Sequence, residues 1–502
     1  MLFNSYIFVF VFFPICILGY YGLLRAGRCR VAGIFLTGMS FWFYGYFNVS
    51  YLLIMVCSIG GNYLFHRLLS QEDLRLPRKA VMILAVCFNL GVLFYFKYFD
   101  FLLSILNGAF GTDFILRGIL LPLGISFFTF QQISFIVDTW RGEVRDCPFD
   151  EYALFVSFFP QLIAGPIVNH GEMLPQFRAR GKGKPDWEQI ASGLALFVLG
   201  LSKKVLLADT FGAGVDFGYE NLAALGRADA VLIILFYALQ LYFDFSGYCD
   251  MALGLGRMLG IEIPVNFDSP YKAANIVDFW KRWHITLNRF FTKYVYIPLG
   301  GNRRGEGRMY LNLLLVFFLS GLWHGAGYQF LVWGMLHGVL YVVTRVWQRH
   351  VRHRYDTDVT NGGRSVGRRL AAVPAQAATF LYVSVAWVYF RAESVAQANT
   401  LLLTAWRGER KKISMDLAEC LQPDEFWYVI KVLHLDNFSF SRYILMFMIL
   451  AAGLYLAMVG KNAKERAEHM KYGPVSAAVL TILAVWSILS FSGVSTFLYF
   501  NF

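Results

Sequence analysis

The stretch Asn275–Gly338 reads NIVDFWKRWHITLNRFFTKYVYIPLGGNRRGEGRMYLNLLLVFFLSGLWHGAGYQFLVWGMLHG. A basic, Trp-rich segment carrying His284 leads into an apolar run that ends at His324 between glycines. Read as one helix, Asn275–Tyr294 puts Ile276, Phe279, Trp280, Trp283, Leu287, Phe290, Phe291 and Tyr294 on one arc, with Arg282, Arg289 and Lys293 opposite. That pattern predicts an interfacial amphipathic helix, apolar face in the bilayer edge and basic face in water. His284 falls at the boundary, where a plain interfacial histidine and a chemical one fit equally. The basic face suits lipid headgroups or an anionic, nucleotide-bearing donor.

Depth separates the two histidines. With Arg308 at the cytoplasmic interface, Tyr310 to His324 rises roughly 21 Å at ~1.5 Å per residue. That passes the midplane of a core ~30 Å thick. The return to Arg345 is long enough to cross back, and Gly325 and Gly327 supply the break between the arms. An ionisable side chain at that depth is a functional candidate by default. His284 then marks an inner mouth and His324 a reaction centre nearer the outside, two ends of one path if a single cavity joins them. Histidine suits general-base work on a hydroxyl, worth roughly 10²–10⁴ in rate. His337 reads as structural. With no GxSxG elbow, activated Cys, HExxH or P-loop in the sequence, direct transfer is favoured over a covalent intermediate, and no metal is expected.

The 502 residues are 57% hydrophobic and only 16% charged, against roughly 25% charged in soluble domains. Repeated long apolar runs predict an all-α polytopic membrane protein of about eleven transmembrane helices. The net charge of +12 reads as cytoplasmic loops, and no basic polar domain exists for nucleic acid. The seven cysteines show no CxxC spacing, so neither a zinc site nor a disulfide framework is signalled. Tyr6–Leu24 reads as a first span followed by Arg25, Arg28 and Arg30, which predicts an extracytoplasmic N-terminus. The last span, Pro474–Phe500, leaves the C-terminus outside too. Lys97, near the end of Ala80–Leu106, is placed to snorkel. Tyr152–Val168 contains PQLIAGPI and has basic residues on both sides, which predicts a re-entrant segment lining an interior space, or else a Pro-kinked span. Lys203 and Lys204 break the charge rule. Asp244, inside the run Ala228–Leu259, costs roughly 2.5–3.5 kcal/mol to insert, so it lines a cavity or pairs with a cation.

The words PQLIAGPI (Pro160–Ile167), YFDFSGYCDMALG (Tyr242–Gly254), FDSPYKAANIVDFWKRWHITL (Phe267–Leu287), YIPLGGNR (Tyr296–Arg303) and SGLWHGAGYQFLVWG (Ser320–Gly334) stand in that order. Together they resemble the membrane-bound O-acyltransferase (MBOAT) family, and YIPLGGNR with the extra C-terminal spans is similar to its alginate O-acetylase branch. The resemblance implies a ring of helices around a through-membrane tunnel, His324 as the catalytic histidine and His284 as the second family histidine. It implies transfer of an acetyl group from a cytosolic thioester, acetyl-CoA or another, toward an extracytoplasmic polysaccharide, often through a separate periplasmic acetyltransferase partner. Cys249, Asn288 and Thr292–Lys293 depart from the family's commoner residues.

The chain therefore reads as one integral membrane domain, residues 1–502. It has N-terminal spans (1–118), a catalytic core (119–346) and C-terminal spans (347–502), and sits among lipids of a bacterial inner membrane. Expected site residues are His324 and His284, with Trp280, Arg282, Trp283, Asp244, Asn302, Trp323 and Gln161 along the donor path. No cofactor is expected to be tightly bound. The rival reading is a transporter or flippase that moves a polar substrate without acyl chemistry.

Overall fold

The computed structural model describes residues 1–179, 185–350, 366–423, 429–435, 438, 440–493 and 497–498. The described residues are helical, with no strand. The first helices are α1 (Phe8–Arg25), α2 (Cys29–Gly45), α3 (Val49–Leu69) and α4 (Arg78–Phe110), the last interrupted by a π-helical turn at Phe94–Tyr98. Then come α5 (Ile125–Trp140), the short α6 (Phe149–Ser157), α7 (Phe159–Leu162) and α8 (His170–Arg178), and the long pair α9 (Trp187–Glu220) and α10 (Arg227–Met258).

The central motif forms α11 (Ile276–Arg282), α12 (Ile285–Phe291), α13 (Glu306–His324) and α14 (Tyr328–His350). The chain continues through α15 (Val366–Arg391), α16 (Val395–Arg407), α17 (Met415–Cys420), α18 (Phe440–Met458), α19 (Ala463–Glu468) and α20 (Pro474–Leu489).

Eight described helices are long and apolar enough to cross a membrane, fewer than the eleven expected. The other predicted spans are helices too, but α2, α5 and α20 have 17, 16 and 16 residues. The polar first turns of α13, with Glu306, Arg308 and Asn312, dilute its apolar character. Most of the predicted cytoplasmic loop Gln348–Arg369, and Lys182 and Lys184, lie outside the described residues.

Helix α10 is the axis. Its apolar window is 89% buried, while the other seven spans reach at most 56%. A helix apolar all round belongs inside a bundle. It packs on α9 through two reciprocal glycine pairs. A Cβ on Gly193 would lie 2.7 Å from the carbonyl oxygen of Gly254, and one on Gly200 2.7 Å from that of Gly247. Within each helix the two glycines are a heptad apart, so the backbones touch along one antiparallel seam.

That seam explains the two lysines. Lys203 donates to Asp250 at 2.6 Å, and Lys204 to Asp244 at 2.7 Å and Asp209 at 2.8 Å. They are interior ion-pair partners and carry no topology signal. Asp244 takes the pairing role, and its second oxygen accepts from the Leu498 backbone N–H at 3.0 Å.

PQLIAGPI is wholly buried, as non-helical backbone at membrane depth must be. Its tail is tied to the central motif by the Ile167 N–H, which donates to Thr286 Oγ1 at 2.9 Å.

Candidate active site

The amphipathic segment is not one interfacial helix. It breaks between α11 and α12, where Trp283 is extended and His284 takes a left-handed conformation at φ 46°. A side chain held there costs about 1–3 kcal/mol and persists only where its surroundings fix it. The fixing contacts are specific. The Ile285 N–H donates to the Asn266 carbonyl at 3.0 Å, and the Asp268 N–H to the Arg282 carbonyl at 2.9 Å. Asn288 Nδ2 donates to the carbonyls of Trp280 and Trp283, closing the end of α11.

The break turns the apolar arc inward. Ile276, Phe279, Trp280, Trp283, Leu287, Phe290 and Phe291 are buried in the protein and do not face lipid. Much of the basic face is neutralised by the protein itself. Arg289 pairs with Glu172, Arg282 with Asp278, and Lys293 with Asp138 and Glu143. Lys293 lies among Asp138, Glu143 and His170, whose ligand atoms converge within 4.8 Å. Burial works against its charge, but hydrogen bonds to Glu143 and Asp138 hold its ammonium above the usual lysine value.

The turn sends His284 to His324. The two rings lie 6.3 Å apart and both residues are buried. The sequence expectation of an inner mouth and an outer centre is therefore corrected: the histidines form one site. Straight-helix depth counting failed because α12 does not continue α11.

His284 Nδ1 lies 3.1 Å from Asn266 Oδ1. That oxygen also accepts from the Thr286 N–H at 3.2 Å and its hydroxyl at 2.9 Å. A backbone N–H can only donate, so the amide oxygen is identified and Nδ1 must carry the proton. Nε2 is thereby left as the basic nitrogen of His284.

His324 ends α13, ringed by Trp323, Trp333 and Phe390 at 4.8, 5.0 and 5.2 Å. The α13–α14 hairpin is tight. A Cβ on Gly334 would lie 2.5 Å from the Phe317 carbonyl oxygen, and one on Gly325 would strike the Phe330 ring. Gly325 is extended at φ −164°, so it is needed for space and not for a special backbone angle.

The last carbonyls of α13 are capped from the π-helical turn of α4. Lys97 Nζ donates to Trp323 O at 2.6 Å and His324 O at 3.2 Å, and Tyr98 to Leu322 O at 2.9 Å. Lys97 points inward and does not snorkel. A helix C-terminus carries partial negative charge, which a cation complements.

The other expected residues divide. Trp323 sits between Phe127 and Phe130 on one side and both histidines on the other. The indole N–H groups of Trp323 and Trp333 have no acceptor among the described residues. Trp280 donates to His337 Nδ1 at 3.3 Å, so His337 orients Trp280, consistent with its structural reading. Trp283 packs on Phe267 and Trp387. Arg282 is engaged with Asp278 and Asp268. Gln161 donates to the Phe155 carbonyl at 3.0 Å. Asn302 lines a cavity with Arg345 and Arg349 that shares Thr292, Ile297, Leu313, Val316 and Tyr341 with the cavity beside Trp280. Sequence reasoning missed Asn266, Thr286 and Lys97 as residues that hold the two histidines in place. Asn266 carried a signal, a lone amide in the apolar run IEIPVNF.

Two cavities approach the histidine pair, one through Ile285 beside His284 and one through Gly325 beside His324, and neither histidine is on the lining of either. One, of about 440 Å³, is lined by Trp280, Lys281, Asn288, Arg289, Lys293 and Ser320 among others. The other, of about 790 Å³, includes Lys97, Asp209, Asp216, Gln240, Gln329 and Arg391 and reaches Gly325 and Ala326, next to His324. They share no lining residue. Aromatic rings, chiefly Trp323, Phe130 and Phe290, stand together beside the histidines.

Fold and site together define a multi-pass membrane protein with a buried histidine pair whose chain neighbours line a basic cavity and a mixed-charge one. The chain belongs to the membrane-bound O-acyltransferase family, whose model matches residues 125–383, and it is an O-acyltransferase of the alginate O-acetylase-like branch. It is 37% identical to the peptidoglycan O-acetyltransferase of Helicobacter pylori, over 100% of this chain and 98% of that protein. It is 38% identical to the probable alginate O-acetylase AlgI of Pseudomonas aeruginosa, over 81% of this chain and 74% of that protein. Similarity to the teichoic acid D-alanyltransferase of Streptococcus thermophilus is lower, 27% over 45% of this chain and 57% of that protein.

Proposed function

We propose that this protein moves an acetyl group from a cytosolic thioester, acetyl-CoA, to a hydroxyl of an exported cell-envelope polysaccharide, directly or through a periplasmic acetyltransferase partner. It works in a bacterial inner membrane. The observation that carries this reading is the pairing of His284 and His324 at 6.3 Å, each next in sequence to a residue lining one of two chemically unlike cavities. Lys281 is exposed at the first cavity and has no ion-pair partner among the described residues, which suits the phosphates of a nucleotide thioester. The second cavity suits a hydroxyl-bearing acceptor. Relatives named for peptidoglycan and alginate O-acetylation support the acetyl group and the glycan.

In this reading His324 takes the acceptor's hydroxyl proton as its oxygen attacks the thioester carbonyl. The carbon–sulfur bond breaks, and the proton passes to the leaving thiolate. The indole N–H groups of Trp323 and Trp333 are positioned to serve the carbonyl oxygen as it gains charge. Asn266 and Thr286 hold His284 in its turn.

The test uses the full chain in lipid nanodiscs with acetyl-labelled CoA and soluble glycan fragments. Label should appear in the glycan with wild type and fall at least about a hundredfold with His324→Ala. A His324→Ala protein that folds and transfers at the wild-type rate overturns the assignment.

A further inference from the structure

The mixed-charge cavity has a lining residue that nothing among the described residues satisfies. Gln240 is only 6% exposed, yet its Oε1 is buried without a hydrogen-bond partner, and no partner for either amide atom exists among the described residues. A buried polar group left unpaired costs about 1–3 kcal/mol, so such a group in a cavity wall points to a ligand.

The surroundings keep the amide in place. A Cβ on Gly212 would lie 2.7 Å from Gln240 Nε2, so the glycine of α9 makes the room the amide occupies. Asp244, one turn further along α10, is held by Lys204 and by the Leu498 N–H, and Leu498 lines the same cavity. Of the charged wall groups, Asp216 pairs with Arg391 and Asp209 with Lys204, while Glu393 is exposed. Gln240 adds a neutral group whose buried amide oxygen is unmet, and it offers both a donor and an acceptor. The cavity, about 790 Å³, lies in the range of small-molecule sites, roughly 300–1,000 Å³.

We infer that Gln240 is a specificity residue that anchors a sugar ring of the acceptor, its amide accepting from one ring hydroxyl and donating to a neighbouring oxygen. The inference rests on the acyl-transfer reading above and assigns how the acceptor is held. A site built to bond a hydroxyl rejects ligands lacking it, because its own polar group would stay unpaired.

The test measures acetyl transfer in nanodiscs to two soluble probes, a peptidoglycan disaccharide and a mannuronate tetramer, with wild type, Gln240→Met and Gln240→Asn. Met keeps the side chain's length without its hydrogen bonds. The expected result is an acceptor KM raised about tenfold or more in Gln240→Met, with kcat at saturating acceptor far less affected and a melting temperature equal to or above wild type. Asn, too short to reach, should behave like Met. Removing an amide that bonds nothing in the protein should not destabilise it. Three results overturn the proposal. An unchanged KM in Gln240→Met overturns it alone. So does a lowered melting temperature with kcat and KM falling together, which makes the amide structural. A wild type that transfers to neither probe overturns it together with the acyl-transfer reading.

Discussion

The ammonium of Lys97 donates to the carbonyl of Trp323 at 2.6 Å, across 226 residues of chain. With Tyr98 it closes the end of the helix that carries His324, from a π-helical turn whose extra residue swings both side chains toward that end. A cap of this kind is worth up to about 2 kcal/mol. Lys97→Met should lower kcat by about tenfold or more with little change in donor KM, and Lys97→Arg should recover part of it. Steady-state rates on the three proteins check this, and a Met variant with wild-type kcat removes Lys97 from the site.

The Trp323 indole offers a test of charge stabilisation. Trp323→Phe keeps an aromatic ring beside His324 but deletes the N–H. Losing one oxyanion donor costs roughly 10²–10³ in kcat, and KM should hardly move. If kcat is retained, the orphan N–H is a packing accident.

Asn266 fixes which nitrogen of His284 carries the proton. Asn266→Leu removes the acceptor of three hydrogen bonds and frees the left-handed turn. Activity should fall by roughly 10–100-fold, the scale seen when the partner that orients a functional histidine is lost. Asn266→Asp keeps the acceptor and should be milder. Equal losses in the two variants would show that bulk, not the hydrogen bond, matters.

The Lys204–Asp244 pair is nearly sealed, its side chains 1% and 2% exposed. Breaking a buried pair by removing one partner costs about 3–5 kcal/mol. Lys204→Met should lower the melting temperature sharply, and adding Asp244→Leu should recover part of the loss. A double variant worse than the single would mean that the bonds to Asp209 and Leu498 dominate.

At the opposite face, Lys293 bridges Asp138 and Glu143. Against the opposing effect of burial, its bonds to Glu143 and Asp138 hold its ammonium above the ordinary lysine value. A raised folded-state value means the stabilisation is fully present below the unfolded-state value and is lost as pH rises through the folded one. Wild-type melting should show no contribution from this bridge to pH dependence near neutrality and lose it only above about pH 10.5. The Lys293→Met variant should melt lower across the neutral range. Equal melting of the two proteins at pH 7 would show that the half-exposed bridge contributes nothing.

The apolar helices, a buried Asp244 and both histidines were legible in the sequence, since composition and periodicity report burial; that Asp244 pairs with Lys204, where it was expected along the donor path, was not. The buried PQLIAGPI segment was legible too, because Gly165 and Pro166 stop the helix that Pro160 begins after a single turn. The span count was less so: α2, α5 and α20 are helices, but too short for length alone to settle a crossing. Lys203 and Lys204 misled, because a charge rule for loops cannot see a glycine seam that brings Asp250 and Asp244 within reach.

The opening stretch shows the division most clearly. By itself the sequence determined that Asn275–Gly338 holds an apolar, Trp-rich motif with two histidines, in the order that marks the MBOAT family. Only the tertiary structure decided that His284 and His324 share one site, that Lys97 closes the helix of one and that Asn266 orients the other. The physical reason is the break at Trp283–His284. A single left-handed residue reverses which way a side chain points, and hydrogen bonds from residues distant in sequence hold it there. Neither periodicity nor depth along a straight helix carries that information.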